Sequence, residues 1–394
     1  MESVLDLIKK SEVVALTQEL VRIKSYLGVE GVETELAEYI AKFLQDNGMG
    51  AKLQEVFAGR CNVLGSLTDF KQVSGKRLLL CGHMDTVSPE QMEIEPFTAY
   101  LKDGKLWGRG SVDMKGGLAA MLIAMKAVHQ AGIKLTGDVL FAGVVGEESP
   151  NTSEGARYLA DQEKIADMAI IGEATKLGIA VAHKGMTWFK ITVVGKAAHG
   201  SMPEAGINAI VYAAKIIEKI NNSLIPKLAM REHHFVGKPT LNIGKIEGGM
   251  QNNIVPANCW FSLDRRWIPG ETIEGLQLEL EEIIRNLQQD YPELQATVIE
   301  MPETQGRAPM EIDVKHQLVE VLKAAVGEVC STNPPLIGVV YWTDGAHLAA
   351  SGIPTVVFGP GDIHEAHAAV EFVDTEDLYQ AALVYAKVIL EICQ

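Results

Sequence analysis

The spacing of apolar residues switches along the chain between the period of a helix and that of a buried strand. Apolar positions recur at helical spacing in residues 3–24, 31–48 and 374–392. Short apolar runs lie between polar segments, and the run at 78–81 is the clearest of them. Such runs predict buried strands, and their alternation with helical segments predicts an α/β fold built on a mixed sheet.

The order of predicted elements changes between residues 185 and 301. A strand, a helix, two strands joined at Gly248-Gly249, a second helix and a last strand follow one another there. This βαββαβ order is that of the ferredoxin-like arrangement, which makes a complete small domain. We therefore predict that residues 1–184 and 302–394 form the two parts of one catalytic domain, and that 185–301 form an inserted ferredoxin-like domain.

Composition and charge exclude several classes of protein. The 394 residues are 47% hydrophobic and 22% charged, which is enough for a full-sized core. The formal net charge of −16 argues against nucleic acid or an anionic membrane as a partner, because both require a basic face. The five cysteines are scattered, and neither a signal peptide nor a membrane-spanning run is visible. We expect a reduced, cytoplasmic protein.

Ionisable side chains follow several of the predicted strands, and one lies at the entrance of a predicted helix. They are His83 with Asp85, Glu147 with Glu148, Glu173, and Asp113 before the helix at 117–131. Each has an ordinary explanation when taken singly, as part of a polar loop or, for Asp113, as a carboxylate favoured by the helix dipole. Several carboxylates at one edge of a sheet would repel each other without a cation between them. The pattern therefore predicts a metal site, with one carboxylate of the Glu147 and Glu148 pair as a ligand and its neighbour as a general base.

Other candidate residues lie in turns and at strand ends. His364 and His367 follow a late strand, and the residues alone leave open which of them is the sixth site residue. His199 lies in a tight loop marked by glycine and proline, and Asn253 leads into a strand. Arg266 at the end of that strand is suited to bidentate capture of a substrate carboxylate. Exposed polar loops remain the alternative for these segments.

Together these motifs resemble the co-catalytic di-zinc amidohydrolases, a family that includes acetylornithine deacetylase, succinyl-diaminopimelate desuccinylase, aminoacylases and carboxypeptidase G. The matching motifs span nearly the whole chain in the family's order. They are Gly82-His83-Met84-Asp85, Gly108-Arg109-Gly110, Asp113-Met114-Lys115-Gly116-Gly117, Gly146-Glu147-Glu148, Gly172-Glu173, His199-Gly200-Ser201, Asn253-Ile254-Val255-Pro256, Asp264-Arg265-Arg266, and Ala366-His367 before Glu371-Phe372-Val373. The resemblance implies a zinc-peptidase-like catalytic domain and an insertion that acts as a lid and dimerisation domain.

The resemblance also implies the metal ligands. Asp113 would bridge two Zn²⁺ ions, for which Co²⁺ or Mn²⁺ could substitute. His83 and Glu173 would complete one site, and Glu148 and His367 the other. His367 is favoured over His364 because the family histidine precedes a Glu-aromatic-Val segment. Val370 departs from the family, in which Asn or Asp is frequent at that position.

The same resemblance implies the remaining roles. Glu147 would be the general base, and Asp85 would orient His83. His199 would reach the active site of a partner in a homodimer formed through the insertion, and would help to stabilise the oxyanion. Asn253 and Arg266 would bind substrate, with Arg266 as the carboxylate anchor.

The expected reaction is metal-dependent hydrolysis of the amide bond in an N-acyl amino acid, of the acetylornithine deacetylase or succinyl-diaminopimelate desuccinylase type. A metallo-exopeptidase acting on short peptides, either a dipeptidase or a carboxypeptidase, needs the same metals and the same carboxylate anchor, and stays open as the alternative. A third hypothesis is a metal-binding or regulatory protein that lost catalysis. The retention of Glu147 beside all five ligands argues against it.

Overall fold

The computed structural model describes residues 2–57, 59–149, 153–162 and 165–394. The chain forms two compact units. The first contains Met1–Ala182, Met310–Val339 and Thr343–Gln394, and the second contains His183–Pro309 and Val340–Trp342. The second unit therefore interrupts the first along the sequence. The predicted domain bounds, 1–184 with 302–394 and 185–301, stay a prediction.

Strands and helices alternate through the first unit and change their order in the second. In chain order the strands are β1 (Gly50–Phe57), β2 (Arg60–Ser66), β3 (Arg77–His83), β4 (Tyr100–Lys102), β5 (Lys105–Trp107), β6 (Asp138–Val144), β7 (Met168–Ile171), β8 (Ile179–His183), β9 (Gly185–Val194), β10 (Thr240–Gly248), β11 (Asn258–Trp267), β12 (Gln295–Glu300), β13 (Met310–Glu311), β14 (Leu336–Val339), β15 (Thr355–Val357) and β16 (Phe372–Asp374). The α-helices are α1 (Glu2–Leu5), α2 (Lys10–Arg22), α3 (Thr34–Asp46), α4 (Gly116–Gln130), α5 (Glu154–Ala160), α6 (Ala209–Lys219), α7 (Ile225–Leu228), α8 (Ile273–Asp290), α9 (Gln317–Cys330), α10 (Gly345–Ala350) and α11 (Thr375–Cys393).

The first unit is built on a mixed sheet with the strand order β1-β2-β6-β3-β7-β15-β8-β13, and β14 pairs with β8. Strand β3 lies between β6 and β7 and runs parallel to both. All seven residues of β6 are buried, as expected of a strand covered on both faces. Helix α4 is apolar on nearly all sides and buried along most of its length, and it packs against α11 and α2.

The second unit is an antiparallel sheet of four strands in the order β10-β11-β9-β12, with α6 and α8 between the strands in sequence. Its core includes Phe189, Phe261, Ile216 and Leu280. The element order is βαββαβ, and the spatial order is that of the ferredoxin-like arrangement. The predicted fold class, a mixed α/β sheet with a ferredoxin-like insertion, is confirmed.

One strand of the second unit begins later than the sequence pattern predicts. The apolar spacing predicts a strand over 253–263, whereas β11 begins at Asn258. The N–H of Ile254 donates to the Gln251 carbonyl at 3.2 Å, and Pro256 has no N–H to offer to a sheet. The segment before Asn258 is therefore a turn.

Within the described part of the chain, no helix combines the length and the apolar character that crossing a membrane requires.

Candidate metal centre

Three adjacent strands deliver ionisable side chains to one edge of the sheet in the first unit. Strand β3 ends at His83, which lies opposite Val144 at the end of β6. Glu147 and Glu148 follow β6, and Glu173 follows β7. Because the three strands are parallel, their carboxyl ends lie at the same edge, where open α/β sheets carry their sites.

Two loops add further candidate ligands at this edge. Asp113 lies in the segment Ser111–Lys115, which leads directly into α4, and its backbone is not helical, with φ of −128° and ψ of 97°. His367 follows a short 3₁₀ turn and has a left-handed backbone with φ of 56°. His364 instead lies in that turn with an exposed side chain, and its Nδ1 is 2.7 Å from the carboxylate of Asp362.

The side chains form two groups that share Asp113. His83 Nε2 lies 2.9 Å from Asp113 Oδ1 and 3.2 Å from Glu173 Oε1. His367 Nε2 lies 3.2 Å from Asp113 Oδ2 and 2.7 Å from Glu148 Oε1. Within each group the possible ligand atoms lie within 4.8 Å of one another. Each oxygen of Asp113 therefore serves a different group.

Burial and neighbouring charges shift the pKa values of these groups strongly. Burial and the charge of Asp113 raise the pKa of Glu148 to about 8 and that of Glu173 to about 7. Burial also opposes ionisation of Asp113, but hydrogen bonds from His367 and His83 lower its pKa overall. Hydrogen bonds to Asp113 and Glu148 raise the pKa of His367 to about 11. In the absence of a cation, protons on these groups therefore supply the positive charge that a bound metal ion would supply.

The chemistry of the donor set fits divalent metal ions. Each group offers one imidazole nitrogen and two carboxylate oxygens, which are ligands that Zn²⁺ and similar ions accept. His83 Nδ1 donates to the backbone carbonyl of Asp85 at 2.9 Å. Because a carbonyl oxygen only accepts, Nδ1 carries a proton, and a bound cation would take the place of the proton on Nε2, the ring nitrogen that faces Asp113 and Glu173.

The carboxylate of Asp85 makes contacts that the sequence does not reveal. Its two oxygens accept the backbone N–H groups of Glu147 and Glu148 at 3.1 and 2.9 Å. The Oδ1 atom lies 3.6 Å from His83 Nδ1, which is too long for a hydrogen bond. Asp85 therefore holds His83 through its backbone carbonyl, and its side chain holds the segment that carries Glu147.

The side chain of Glu147 adjoins the shared cluster. One of its oxygens lies within 4.8 Å of ligand atoms of both His83 and Glu148. Glu147 can therefore reach a water molecule near either group without belonging to the two groups that Asp113 joins.

The second unit contains the other three candidates. His199 pairs with Ile254 in an isolated bridge, and the N–H of the next residue donates to the Asn253 carbonyl at 2.7 Å, so that His199 and Asn253 are neighbours. The ring of His199 is exposed, and its Nδ1 lies 2.7 Å from the hydroxyl of Ser201. Arg266 lies on β11, where its Nε donates to Asp264 at 3.0 Å. The structure does not group Arg266 with the other two.

One further carboxylate at this edge is not predicted from the sequence. Asp344 is buried, and neither of its side-chain oxygens has a hydrogen-bond partner among the residues that the structure describes. Burial and the charge of Glu147 raise the pKa of Asp344 well above its ordinary value. The available signal is its position a few residues after β14, as another carboxylate that follows a strand.

The fold and the paired groups of carboxylates and imidazoles define a metal-dependent hydrolase with an inserted ferredoxin-like unit. The chain belongs to peptidase family M20/M25/M40, whose sequence model matches residues 79–391. The suspected family relationship is thereby confirmed. As a member of this family the chain is an enzyme of the amidohydrolase and peptidase class, and its reaction is metal-dependent hydrolysis of an amide bond.

Individual relatives cover almost the whole chain. The acetylornithine deacetylase of Photorhabdus laumondii is 31% identical over 380 residues, which are 93% of this chain and 92% of that protein. The acetylornithine deacetylase of Proteus mirabilis is 33% identical over 349 residues, 86% of this chain and 85% of that protein. Among solved structures, aminopeptidase PepT from Bacillus cereus has a TM-score of 0.78 and 26% identity, and the alignment covers 98% of this chain and 99% of that one.

Proposed function

We propose that the chain removes the acyl group from an N-acyl amino acid whose amine half carries a free α-carboxylate, as acetylornithine deacetylases do. The observation that carries the proposal is the position of Glu147. Its carboxylate lies beside a cluster of five potential ligands, which form two groups with Asp113 in common. The two relatives named acetylornithine deacetylase, at 31% and 33% identity, support the acyl amino acid as the substrate class.

The proposed cofactor is a pair of zinc ions, with Co²⁺ or Mn²⁺ as substitutes. His83, Asp113 and Glu173 would hold one ion, and Asp113, Glu148 and His367 would hold the other. When bound, two such ions lower the pKa of a water molecule and polarise the amide carbonyl. The shared position of Asp113 and the donor chemistry of both groups support this assignment.

Glu147 is the proposed general base. Its carboxylate takes a proton from the attacking water and returns that proton to the nitrogen of the leaving amine. A general base acts over hydrogen-bond distances, so its position must be fixed. The hydrogen bonds from the N–H groups of Glu147 and Glu148 to Asp85 supply that restraint on the backbone.

The proposed substrate contacts come from the second unit. The guanidinium of Arg266 would bind the α-carboxylate of the amine half, because its planar fork matches a carboxylate. Asp264 supports this role by orienting the guanidinium from one side, at 3.0 Å from Nε. Asn253 would hydrogen-bond the substrate, and the imidazole of His199 would stabilise the developing oxyanion.

The second candidate function is that of an exopeptidase. The likeness to aminopeptidase PepT, at 26% identity over nearly the whole of both chains, favours it. The same ligands, the same general base and the same carboxylate anchor would serve a short peptide. In an N-acyl amino acid the scissile carbonyl belongs to an acyl chain, whereas in a short peptide it belongs to an amino acid residue.

Three further assignments are part of the proposal. The enzyme would act as a homodimer formed through the ferredoxin-like unit, with His199 contributed to the partner's site, and it would work in the cytoplasm. The resemblance of the His199 loop to the family motif supports the first two.

A substrate panel with matched metal analysis tests the proposed function. The purified protein is assayed with N-acetyl-L-ornithine, N-succinyl-L-diaminopimelate, dipeptides and tripeptides, with and without a chelator. We expect chelator-sensitive release of an amino acid from an N-acyl substrate, and preferential cleavage of peptides would instead establish the exopeptidase. Glu147→Gln is expected to lower kcat by about 10²–10⁴-fold with metal content unchanged. Near-wild-type turnover by this metal-loaded variant would contradict the mechanism.

A further inference from the structure

The segment that carries Glu147 is held by an unusual set of hydrogen bonds. Beyond β6, four successive backbone N–H groups donate to buried side chains and not to the backbone carbonyls of a neighbouring strand. The bonds are Val145 N–H to Asn62 Oδ1 at 3.1 Å, Gly146 N–H to Glu33 Oε1 at 3.1 Å, Glu147 N–H to Asp85 Oδ1 at 3.1 Å, and Glu148 N–H to Asp85 Oδ2 at 2.9 Å. Every peptide plane on the approach to the general base is thereby fixed by a side chain from another element.

Glu33 is a fully buried acceptor that belongs to neither of the two ligand groups. Its side chain has no solvent exposure, and Arg60 binds both of its oxygens, with Nε 2.7 Å from Oε2 and Nη2 in contact with Oε1. A buried carboxylate is costly unless it is paired, and Arg60 supplies the pairing. The oxygen that receives Nη2 also accepts the N–H of Gly146, so the ion pair is joined directly to the segment before Glu147.

The backbone at Gly146 explains why this contact matters. Gly146 has a φ of 85°, in the left-handed region that favours glycine, so the chain changes direction there. The N–H before the turn faces Glu33, and the two N–H groups after the turn face Asp85. Because the turn is hydrogen-bonded both before and after Gly146, the Cα of Glu147 has little freedom to move. Loss of one acceptor would release the backbone on that side of the turn.

We propose that Glu33, oriented by Arg60, is a positioning residue for the general base. It holds Gly146 so that the carboxylate of Glu147 stays beside the ligand cluster. Glu33 belongs to neither of the two ligand groups, so it acts through the backbone of the Gly146 segment and not on the metal ions. This inference rests on the proposed role of Glu147, and it adds to that role a residue from the start of α3, more than a hundred positions earlier in the chain.

The test is a double-mutant cycle in the full-length, metal-loaded protein. The variants are Glu33→Gln, Glu147→Gln and the combination of both, assayed with N-acetyl-L-ornithine, or with the tripeptide Ala-Ala-Ala if wild type prefers the peptide. Glutamine keeps one acceptor oxygen but turns an NH2 group towards the N–H donors of Arg60 or Gly146, so the hydrogen bonds that hold Gly146 cannot all form. Displacing a catalytic group by about 1 Å costs about 10²-fold, and we therefore expect Glu33→Gln to lower kcat by about 10–100-fold with little change in KM or in metal content. In the Glu147→Gln background the same substitution is expected to have almost no further effect, because residues that act as one unit are not additive.

A matched control separates positioning from general loss of stability. Asp138 is another fully buried carboxylate that accepts backbone N–H groups, but it lies at the opposite end of β6. We expect Asp138→Asn to lower Tm without a comparable fall in kcat. Hydrogen exchange adds a readout independent of turnover: the amides of residues 145–148 should exchange faster in Glu33→Gln and not in Asp138→Asn.

The outcomes distinguish this inference from the proposed function. If Glu147→Gln retains turnover, the proposed function fails. If Glu147→Gln is inactive but Glu33→Gln keeps wild-type kcat and wild-type amide exchange, only the inference about Glu33 is overturned. An equal loss of kcat from Glu33→Gln in both backgrounds would show a general structural effect and would also overturn it.

Discussion

At the scale of single residues, Asp113 has the most consequential position in the cluster. Its two oxygens contact different histidines, His83 at 2.9 Å and His367 at 3.2 Å, and each of these contacts belongs to a separate ligand group. Asp113 is also deeply buried, so its charge depends on those partners. Asp113 should therefore affect both metal sites, whereas His367 should affect one.

Metal stoichiometry tests this difference. We expect Asp113→Ala to lose both metal equivalents and His367→Ala to lose about one, because only the shared carboxylate serves both groups. Metal content would be measured by elemental analysis after dialysis, with far-UV circular dichroism to verify folding. Asp138→Asn provides a buried carboxylate control that should keep wild-type metal content. Loss of the same number of equivalents from both site variants would refute the bridging role.

Residues reached only through tertiary contacts could not be predicted from sequence. Four of the five candidate ligands carry a local signal, because each is an ionisable side chain near a strand end or a helix start, whereas His367 is favoured over His364 only by the family resemblance. Glu33 also lies at a helix start, but nothing in the local sequence connects it with the site, because its partner Gly146 lies 113 positions away. Asp344 comes a few residues after β14 and lies in a turn before a short helix, where the sequence resembles an ordinary polar loop. The polar network behind the ligands is therefore visible only once the sheet is assembled.

At the scale of elements, Glu371 joins the two loops that bring in Asp113 and His367. It is fully buried, it receives Arg109 Nη1 at 2.6 Å, and it accepts the N–H of Val112 at 3.1 Å. Glu371 follows His367 by four residues, so one carboxylate fixes the spacing between these two loops. Residues that hold ligand-bearing loops affect metal affinity even though they do not bind metal themselves.

A weaker metal affinity is therefore expected when this connection is cut. Glu371→Gln should lower the affinity for zinc by about 10–100-fold, because the loop with Asp113 loses its charged acceptor. Competition with a chromophoric chelator measures the change, and addition of excess zinc should restore turnover. A zinc affinity equal to that of wild type would show that Glu371 only stabilises the fold. A fall in turnover that excess zinc does not restore would lead to the same conclusion.

Most elements of both units follow from apolar spacing, and the exceptions have identifiable causes. The long periodic segments at α4, α8 and α11 are present as predicted, because apolar positions recur at helical spacing along each of them. The predicted helix over 3–24 is divided into α1 and α2, because the N–H groups of Leu7 and Ile8 form turn hydrogen bonds after α1 and Lys9 is extended. The short helix α5 is missed because its seven residues are too few to show a clear period.

At the scale of the whole molecule, the site concentrates negative charge in a chain that already has a formal net charge of −16. Without metal, the folded protein offsets this concentration by binding protons. The pKa of Glu148 is raised to about 8, that of Glu173 to about 7 and that of His367 to about 11. Bound cations would replace these protons, so that metal binding, proton release and folding stability are linked.

The sign of this linkage predicts how stability changes with pH. Each of these three groups binds protons more tightly in the folded state than in the unfolded chain. Their stabilising contribution is therefore present below the ordinary pKa of each group and is lost as pH rises towards the raised value. We expect the Tm of the chelator-treated protein to fall between pH 5.5 and pH 8.5. The Tm of the zinc-loaded protein should fall much less, because its ligands are already deprotonated.

The difference between the Tm of the zinc-loaded protein and that of the chelator-treated protein is the decisive quantity. Groups elsewhere in the chain that bind protons affect both Tm values equally, so their effect cancels in this gap. We expect it to widen by several degrees between pH 5.5 and pH 8.5 when both forms are measured by scanning calorimetry in the same buffers. Glu148→Gln removes one of the groups with a raised pKa and should flatten the pH dependence of the metal-free form. A gap that stays constant with pH would mean that the cluster does not exchange protons for metal, and it would remove the electrostatic basis for the proposed centre.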